Sequence, residues 1–251
     1  MSATVPVQAI DLDFDHGNFD AAAFAGQALS SWQSLAAIID HTLLKPETTR
    51  EQAENLCDEA LRYNFACAMV NPIWVPTAVS LLCGTGVIVG SVIGFPLGAS
   101  LVSTMRHEAI ALARLGAREL DMVMPIGLLR SGDHQAVESA VRAVAETAHD
   151  NGVLIKVILE TALLSVAEKL RGTEIAIHAG ADFIKTSTGF ASAGANVADV
   201  ALLRGIAGSR CGVKASGGVR TLADVRSLLE AGANRIGASA SVSILRELGA
   251  E

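Results

Sequence analysis

Aromatic side chains are scarce in this 251-residue chain, at 4% against 51% apolar residues overall. A core of stacked rings is therefore excluded, and the interior must be built from Ala, Val, Ile and Leu. That is the composition of parallel strands covered by helices. Cysteine is sparse as well. Cys57, Cys67, Cys83 and Cys211 form no C-x-x-C pair and have no companion histidine spacing, which argues against zinc and against a disulfide framework. They read as reduced, buried small hydrophobes of a cytoplasmic protein. Positive charge is in deficit, with a net charge of -7, so there is no electrostatic footprint for nucleic acid or an anionic membrane. The first ten residues carry no basic segment, and no signal or transit peptide is expected. Charge of either sign is missing from Tyr63 to Met105, a length that would suit a membrane span. Pro72, Pro76 and Pro96 and the glycines between Gly84 and Gly98 interrupt that run, so buried strands joined by short loops explain it better.

Lysine is the scarcest cation. The chain holds only Lys45, Lys156, Lys169, Lys185 and Lys214. Three of these sit inside strand-like runs, L-I-K-V-I-L-E, D-F-I-K-T-S and G-V-K-A-S, at equal intervals along the chain. Desolvation disfavours an ammonium group in such a run and lowers its pKa, so a lysine placed there is either paired or put to use.

Around these runs the chain alternates. The residues up to about 33 read as an N-terminal extension. Its Asp11, Asp13 and Asp15 resemble the start of a calcium loop, but His16 and Ala22 stand where that loop needs Gly and Glu, so a solvated tail is the better reading. A short helix is expected from Asp20 to Leu35. From residue 34 to 251 eight strand-helix units follow one another, the first strand at A-I-I-D-H-T and the last at R-I-G-A-S. Eight units fit a single closed (β/α)8 TIM barrel better than a doubly wound sheet, and no G-x-G-x-x-G follows the first strand. In a barrel the reactive groups lie on inward positions or at the C-terminal strand ends.

The polar residues at those positions are Asp40 and Thr42, Asn71, Asp121, Lys156 and Glu160, Lys185 and Thr186, Lys214 and Ser216, and Ser239. Residues two apart share a strand face, so Lys156 and Glu160 are expected to point the same way. Three lysines on adjacent strands with carboxylates among them would converge on one cavity. One alternative is a structural ion-pair network. The other is a Schiff base: Lys214 beside Lys185, together with burial, would depress the Lys185 pKa and leave a free amine able to attack a carbonyl. Asp121 would then serve the proton transfers. S-G-G-V-R at Ser216–Arg220, with Gly237 and Ser239 in R-I-G-A-S, falls where barrels hold a phosphate on glycine amides and a helix N-terminus. Gly217 and Gly218 would present such amides with Arg220 near.

On the motifs I-D-H-T-L-L-K-P, V-N-P, V-I-G-F-P-L-G, E-L-D-M-V, K-V-I-L-E-T, G-A-D-F-I-K-T-S-T-G-F, V-K-A-S-G-G-V-R and R-I-G-A-S, the chain resembles the deoxyribose-phosphate aldolases, class I aldolases on a (β/α)8 barrel. The resemblance implies Lys185 as Schiff-base lysine, Asp121 and Lys214 as its proton relay, and Gly217, Gly218, Arg220, Gly237 and Ser239 at the phosphate end. Asp40, Thr42 and Lys156 would take supporting roles. The implied reaction is reversible cleavage of 2-deoxy-D-ribose 5-phosphate to acetaldehyde and D-glyceraldehyde 3-phosphate, with no metal or other cofactor. The implied partners are the sugar phosphate and aldehydes, with a homodimer as the expected assembly. Another Schiff-base sugar-phosphate aldolase or transaldolase, or a non-catalytic phosphate-binding barrel, is the alternative. Three departures stand out. Phe190 takes the place of a lysine found in some members, no aromatic follows Phe190, and Met69 replaces a cysteine, with Cys67 one step earlier on the same strand face.

Overall fold

Each apolar run of the sequence forms a strand, and the periodic polar stretches between them form helices. The computed structural model describes residues 19–251. The acidic tail expected at Asp11, Asp13 and Asp15 lies outside the described residues.

Ahead of the barrel lie α1 (Ala21–Ala28) and α2 (Trp32–Ala36). A single helix was the expectation over this stretch, and two serines divide it. Ser30 donates its hydroxyl to the Gln27 carbonyl at 2.7 Å, and Ser31 caps the second helix by accepting from the Ser34 amide. Side chains of this kind compete with the helical hydrogen bonds and favour caps.

β1 (Ile39–Leu43) is followed by α3 (Arg50–Tyr63), β2 (Cys67–Val70) by α4 (Val75–Leu82), and β3 (Ile88–Ile93) by α5 (Val102–Leu115). β4 (Glu119–Val123) leads into the short α6 (Ile126–Arg130) and the long α7 (His134–Asp150). β5 (Leu154–Ile158) precedes α8 (Val166–His178), and β6 (Phe183–Lys185) precedes α9 (Val197–Ala207). β7 (Gly212–Ser216) precedes α10 (Leu222–Glu230), and β8 (Arg235–Ala238) precedes α11 (Ser241–Glu247). Capping boxes start α3, α8 and α10 at Thr49, Ser165 and Thr221, each satisfying two amides that a helix start leaves unpaired.

The eight strands form a closed parallel barrel in chain order. The fold is therefore the expected (β/α)8 barrel. No helix among the described residues is long and apolar enough to cross a membrane. Most of the apolar core lies between the strands and the helices, and a second, smaller cluster of Leu44, Cys67, Met69 and Val92 lies apart from it. These residues line the lumen on the β1 to β3 side. Gly90 makes room for them, because a Cβ there would lie 2.6 Å from both Cys67 Sγ and Met69 Cε.

Candidate active site

The strand alternation sets what the lumen contains. Register pairs Asp121 with Lys156, Lys156 with Phe183, Lys185 with Lys214, and Lys214 with Arg235, while Asp40 on β1 pairs with Gly237 on β8. Side chains at these positions share the inner face, so β4 to β8 and β1 deliver a set of charged groups to one enclosed space. Asp40, Asp121, Lys156 and Lys214 are fully buried, and Lys185 is 2% exposed.

Asp121 sits at the centre. Its Oδ2 accepts from Lys185 Nζ at 2.8 Å and from Lys214 Nζ at 2.7 Å, and its Oδ1 accepts from Lys156 Nζ at 3.0 Å. Lys214 also donates to Asp40. Lys156 donates to Glu119 Oε2 at 2.5 Å and lies 3.7 Å from Asp40 Oδ2. Below them, Arg235 pairs with Glu119 and brings Nε to 3.0 Å from Asp40 Oδ1, an ionic contact without the alignment of a hydrogen bond.

Lys156 and Lys185 respond to this setting in opposite ways. Burial alone would pull the Lys156 ammonium down, but Asp121, Glu119 and Asp40 hold it above its ordinary value. Burial pulls Lys185 down as well; there Asp121 supplies the counter-charge, and Lys214 and Lys156 oppose it, leaving Lys185 at about 8. Burial would raise both aspartates. Lys156, Lys185 and Lys214 hold Asp121 well below the usual carboxylate range, and Arg235, Lys214 and Lys156 hold Asp40 at about 2. The arrangement places an amine that titrates near neutrality beside a carboxylate and a second lysine, the requirements for attack on a carbonyl with a proton carrier alongside.

The structure thus brings Lys185, Asp121, Lys214, Lys156 and Asp40 together. Thr42 stands at the C-terminal end of β1, half-buried, donating its hydroxyl to the Asp40 carbonyl at 2.8 Å. Gly217 and Gly218 follow β7 with φ of 86° and 76°, a left-handed succession open to glycine. Ser216 anchors that turn, accepting on its carbonyl from Thr186 Oγ1 and donating its own hydroxyl to the Ser187 carbonyl. Arg220 is exposed, and the amides of Arg220 and Thr221 are taken by Asp224 Oδ2 at 3.1 and 3.0 Å. Any anion at this end would rest on the earlier part of the turn. Ser239 is exposed at the end of β8. Gly237 is buried inside β8, where a Cβ would lie 3.0 Å from Lys214 Cε; its bareness gives the lysine its room.

Glu160 departs from the expectation that it shares a face with Lys156. The chain turns at Glu160 into the left-handed region, φ 58°, and its carboxylate accepts from the amide and hydroxyl of Thr188. Two lumen residues were missed, Glu119 and Arg235. Glu119 lies two positions before Asp121 and Arg235 two before Gly237, so the same period of two would have found both.

At the mouth, the loops after β1, β2, β3 and β6 border an open pocket of about 660 Å³ lined by Leu44, Asn71, Trp74, Phe95, Pro96 and Phe190 among others. Asn71 ties two of these loops by donating to the Leu44 carbonyl at 3.0 Å. The rings of Phe95 and Phe190 meet edge to face at 5.3 Å. Cys67 is fully buried, and desolvation with Glu119 and Asp40 nearby raises its thiol well above the ordinary value. Asp40, Cys67 and Glu119 have ligand atoms within 4.8 Å of one another, a spacing that suits a metal ion. The carboxylates are already engaged by Lys156, Lys214 and Arg235, so this donor set serves the protein's own cations.

A family model described as DeoC/LacD family aldolase matches residues 9–248. A deoxyribose-phosphate aldolase from Thermoanaerobacter sp. (strain X514) is 49% identical over 215 residues, covering 85% of this chain and 96% of that protein. Another from Aciduliprofundum boonei is 49% identical over 216 residues, covering 86% and 97%. Among solved structures, a deoxyribose phosphate aldolase from Aeropyrum pernix described as tetrameric has a TM-score of 0.84 at 36% identity, covering 91% of this chain and 96% of that one.

Proposed function

The chain belongs to the DeoC/LacD aldolase family, and on that footing we propose that it is a class I aldolase reversibly cleaving 2-deoxy-D-ribose 5-phosphate to acetaldehyde and D-glyceraldehyde 3-phosphate. The observation that carries the chemistry is Lys185, buried, held at about 8 and facing Asp121 at 2.8 Å. At pH 7 roughly one part in ten of such a lysine is free amine. That amine attacks the aldehyde carbon of the open-chain sugar. The resulting hydroxyl leaves as water, with its proton supplied through Lys214 and Asp121, and an iminium remains on Lys185. The iminium draws in the electron pair of the bond between carbons 2 and 3 as a base takes the proton from the hydroxyl on carbon 3. Glyceraldehyde 3-phosphate departs, leaving an enamine. Protonation at carbon 2 and hydrolysis then release acetaldehyde and restore the amine. The iminium is the electron sink, the task a Lewis-acid metal performs in other aldolases, so the reading includes no cofactor.

In this reading Lys156 and Asp40 hold Asp121 and Lys214 in place. The phosphate lies over the Gly217–Gly218 turn, with Gly237, Ser239 and Arg220 at that end. Residues 34–251 form the aldolase domain and residues 1–33 an extension. The setting is the cytoplasm, consistent with the free thiols of Cys57, Cys67, Cys83 and Cys211. The assembly is a homodimer through outer helices, and sedimentation tests it, a tetramer being the result that replaces it.

The decisive experiment is borohydride reduction in the presence of acetaldehyde, followed by peptide mapping. A reduced adduct on Lys185 is expected. An adduct on another lysine, or none, would overturn the mechanism, and a substrate panel releasing pyruvate or dihydroxyacetone in place of acetaldehyde would overturn the substrate.

A further inference from the structure

The lumen carries an unbalanced charge count. Among the described residues, Lys156, Lys185, Lys214 and Arg235 face Asp40, Glu119 and Asp121, four cations to three carboxylates. Each cation but one touches at least two of the carboxylates. Lys156 has Glu119 and Asp121, Lys214 has Asp40 and Asp121, and Arg235 has Asp40 and Glu119. Lys185 has Asp121 alone, and shares it with two other ammonium groups. Other titratable groups do not settle the difference. Glu160, at the end of β5, is turned to Thr188. Cys67, from β2, stays a thiol, and β3 brings no titratable side chain.

We infer that Glu119 and Arg235 are positioning residues which, without touching substrate, each set by their own charge the balance around Lys185, the lumen lysine with a single, shared carboxylate. Glu119 lies two residues before Asp121 on β4, roughly 6–7 Å along the strand, and Arg235 stands in register with Lys214. Arg235 occupies one oxygen of Glu119 and one of Asp40. Those oxygens would otherwise be available to the lysines above. Glu119 in turn holds Lys156 as a committed cation against Asp121. The pair acts through Lys156 and Asp40, and it rests on the reading of Lys185 as the nucleophile.

Opposite charges must then have opposite effects. Arg235→Met removes the surplus, so Lys185 keeps its proton more readily and the midpoint of iminium formation moves to higher pH. Glu119→Gln increases the surplus and moves it to lower pH. For unit charges at roughly 10 Å and an effective dielectric constant of about 20, each shift is about one pH unit. A merely structural role would damage both variants alike.

The test measures the pH dependence of borohydride-trapped adduct with acetaldehyde in the parent protein, in Glu119→Gln and Arg235→Met, in the charge-compensated double variant, and in Arg235→Lys. Opposite shifts in the single variants, cancellation in the double variant and an unmoved midpoint in Arg235→Lys are expected. Because the double and the lysine variants preserve the charge count, they keep the comparison open where a single variant folds poorly. Shifts in one direction, no shift in any folded variant, or a double variant that fails to cancel overturns the inference. An adduct away from Lys185 in the parent protein overturns the underlying reading instead.

Discussion

Across one lumen, β2 and β3 present Cys67, Met69 and Val92, while β4 to β8 and β1 present Asp121, Lys156, Lys185, Lys214, Arg235 and Asp40. Both linings are buried, and they are in direct register, Val92 beside Asp121 and Cys67 beside Asp40. They differ in how they bear burial. The apolar side is stabilised by leaving water, about 25 cal/mol for each Å² removed. The charged side is destabilised by leaving water and persists because its groups pair. The contrast explains why one lysine is under-paired. With an apolar wall opposite, the charged set must balance itself, and Lys185, with one shared carboxylate, is the member left short.

The sharpest break of this comparison is to keep the charge and remove the chemistry. Lys185→Arg preserves a cation facing Asp121 but forms no iminium, so kcat is expected to fall by about 10⁴-fold or more, as removal of a nucleophile does elsewhere. Steady-state cleavage assays with a circular-dichroism check on folding decide it, and substantial residual turnover would move the nucleophile to another lysine. Next comes Asp121→Asn, which leaves three ammonium groups facing a neutral amide. Breaking a buried ion set in this way is expected to remove about 3–5 kcal/mol of stability and to lower kcat by about 10²–10⁴-fold through the lost proton carrier. Urea denaturation and kinetics at one pH measure both.

The apolar lining offers the matching test. Met69→Ala opens a cavity at a fully buried site and is expected to remove about 2–5 kcal/mol of stability, while leaving the midpoint of the rate against pH where it was. Loss of stability without a midpoint shift is the signature of packing alone. If the midpoint rose, water admitted beside Met69 would be reaching Lys185, and the two linings would not be independent.

The eight strands were legible because each is a short apolar run, and in a closed barrel the period of two then assigns every side chain to lumen or wall. Asp40, Asp121, Lys156, Lys185 and Lys214 followed from that rule, and Glu119 and Arg235 were within its reach. Glu160 was not, because its left-handed turn reverses the alternation just past β5. The division of the first helix was hidden for a similar reason. Ser30 and Ser31 are tolerated inside helices, and only their hydrogen bonds to Gln27 and Ser34 reveal a break. The pocket at the mouth draws on four loops far apart in sequence, and no periodicity links them.

The smallest effect concerns the stability that the charged lining gives up at Lys185. Lys185 titrates at about 8 in the folded chain, against 10.5 for an ordinary lysine. Between those values the unfolded chain binds a proton that the folded chain has released, so this group makes stability rise with pH across the window. Below about pH 8 both states are protonated, and the folded state bears the full cost of the buried, under-paired ammonium, up to about 3 kcal/mol by the conversion of pKa to free energy. Lys185→Met removes that cost together with the charge. Denaturation of the parent and the variant at pH 7 and pH 10 is expected to show the inactive variant more stable at pH 7, with its advantage shrinking as the pH rises. An advantage that stayed constant with pH would trace the gain to packing, and Lys185 would then belong with Met69 on the apolar side of the comparison.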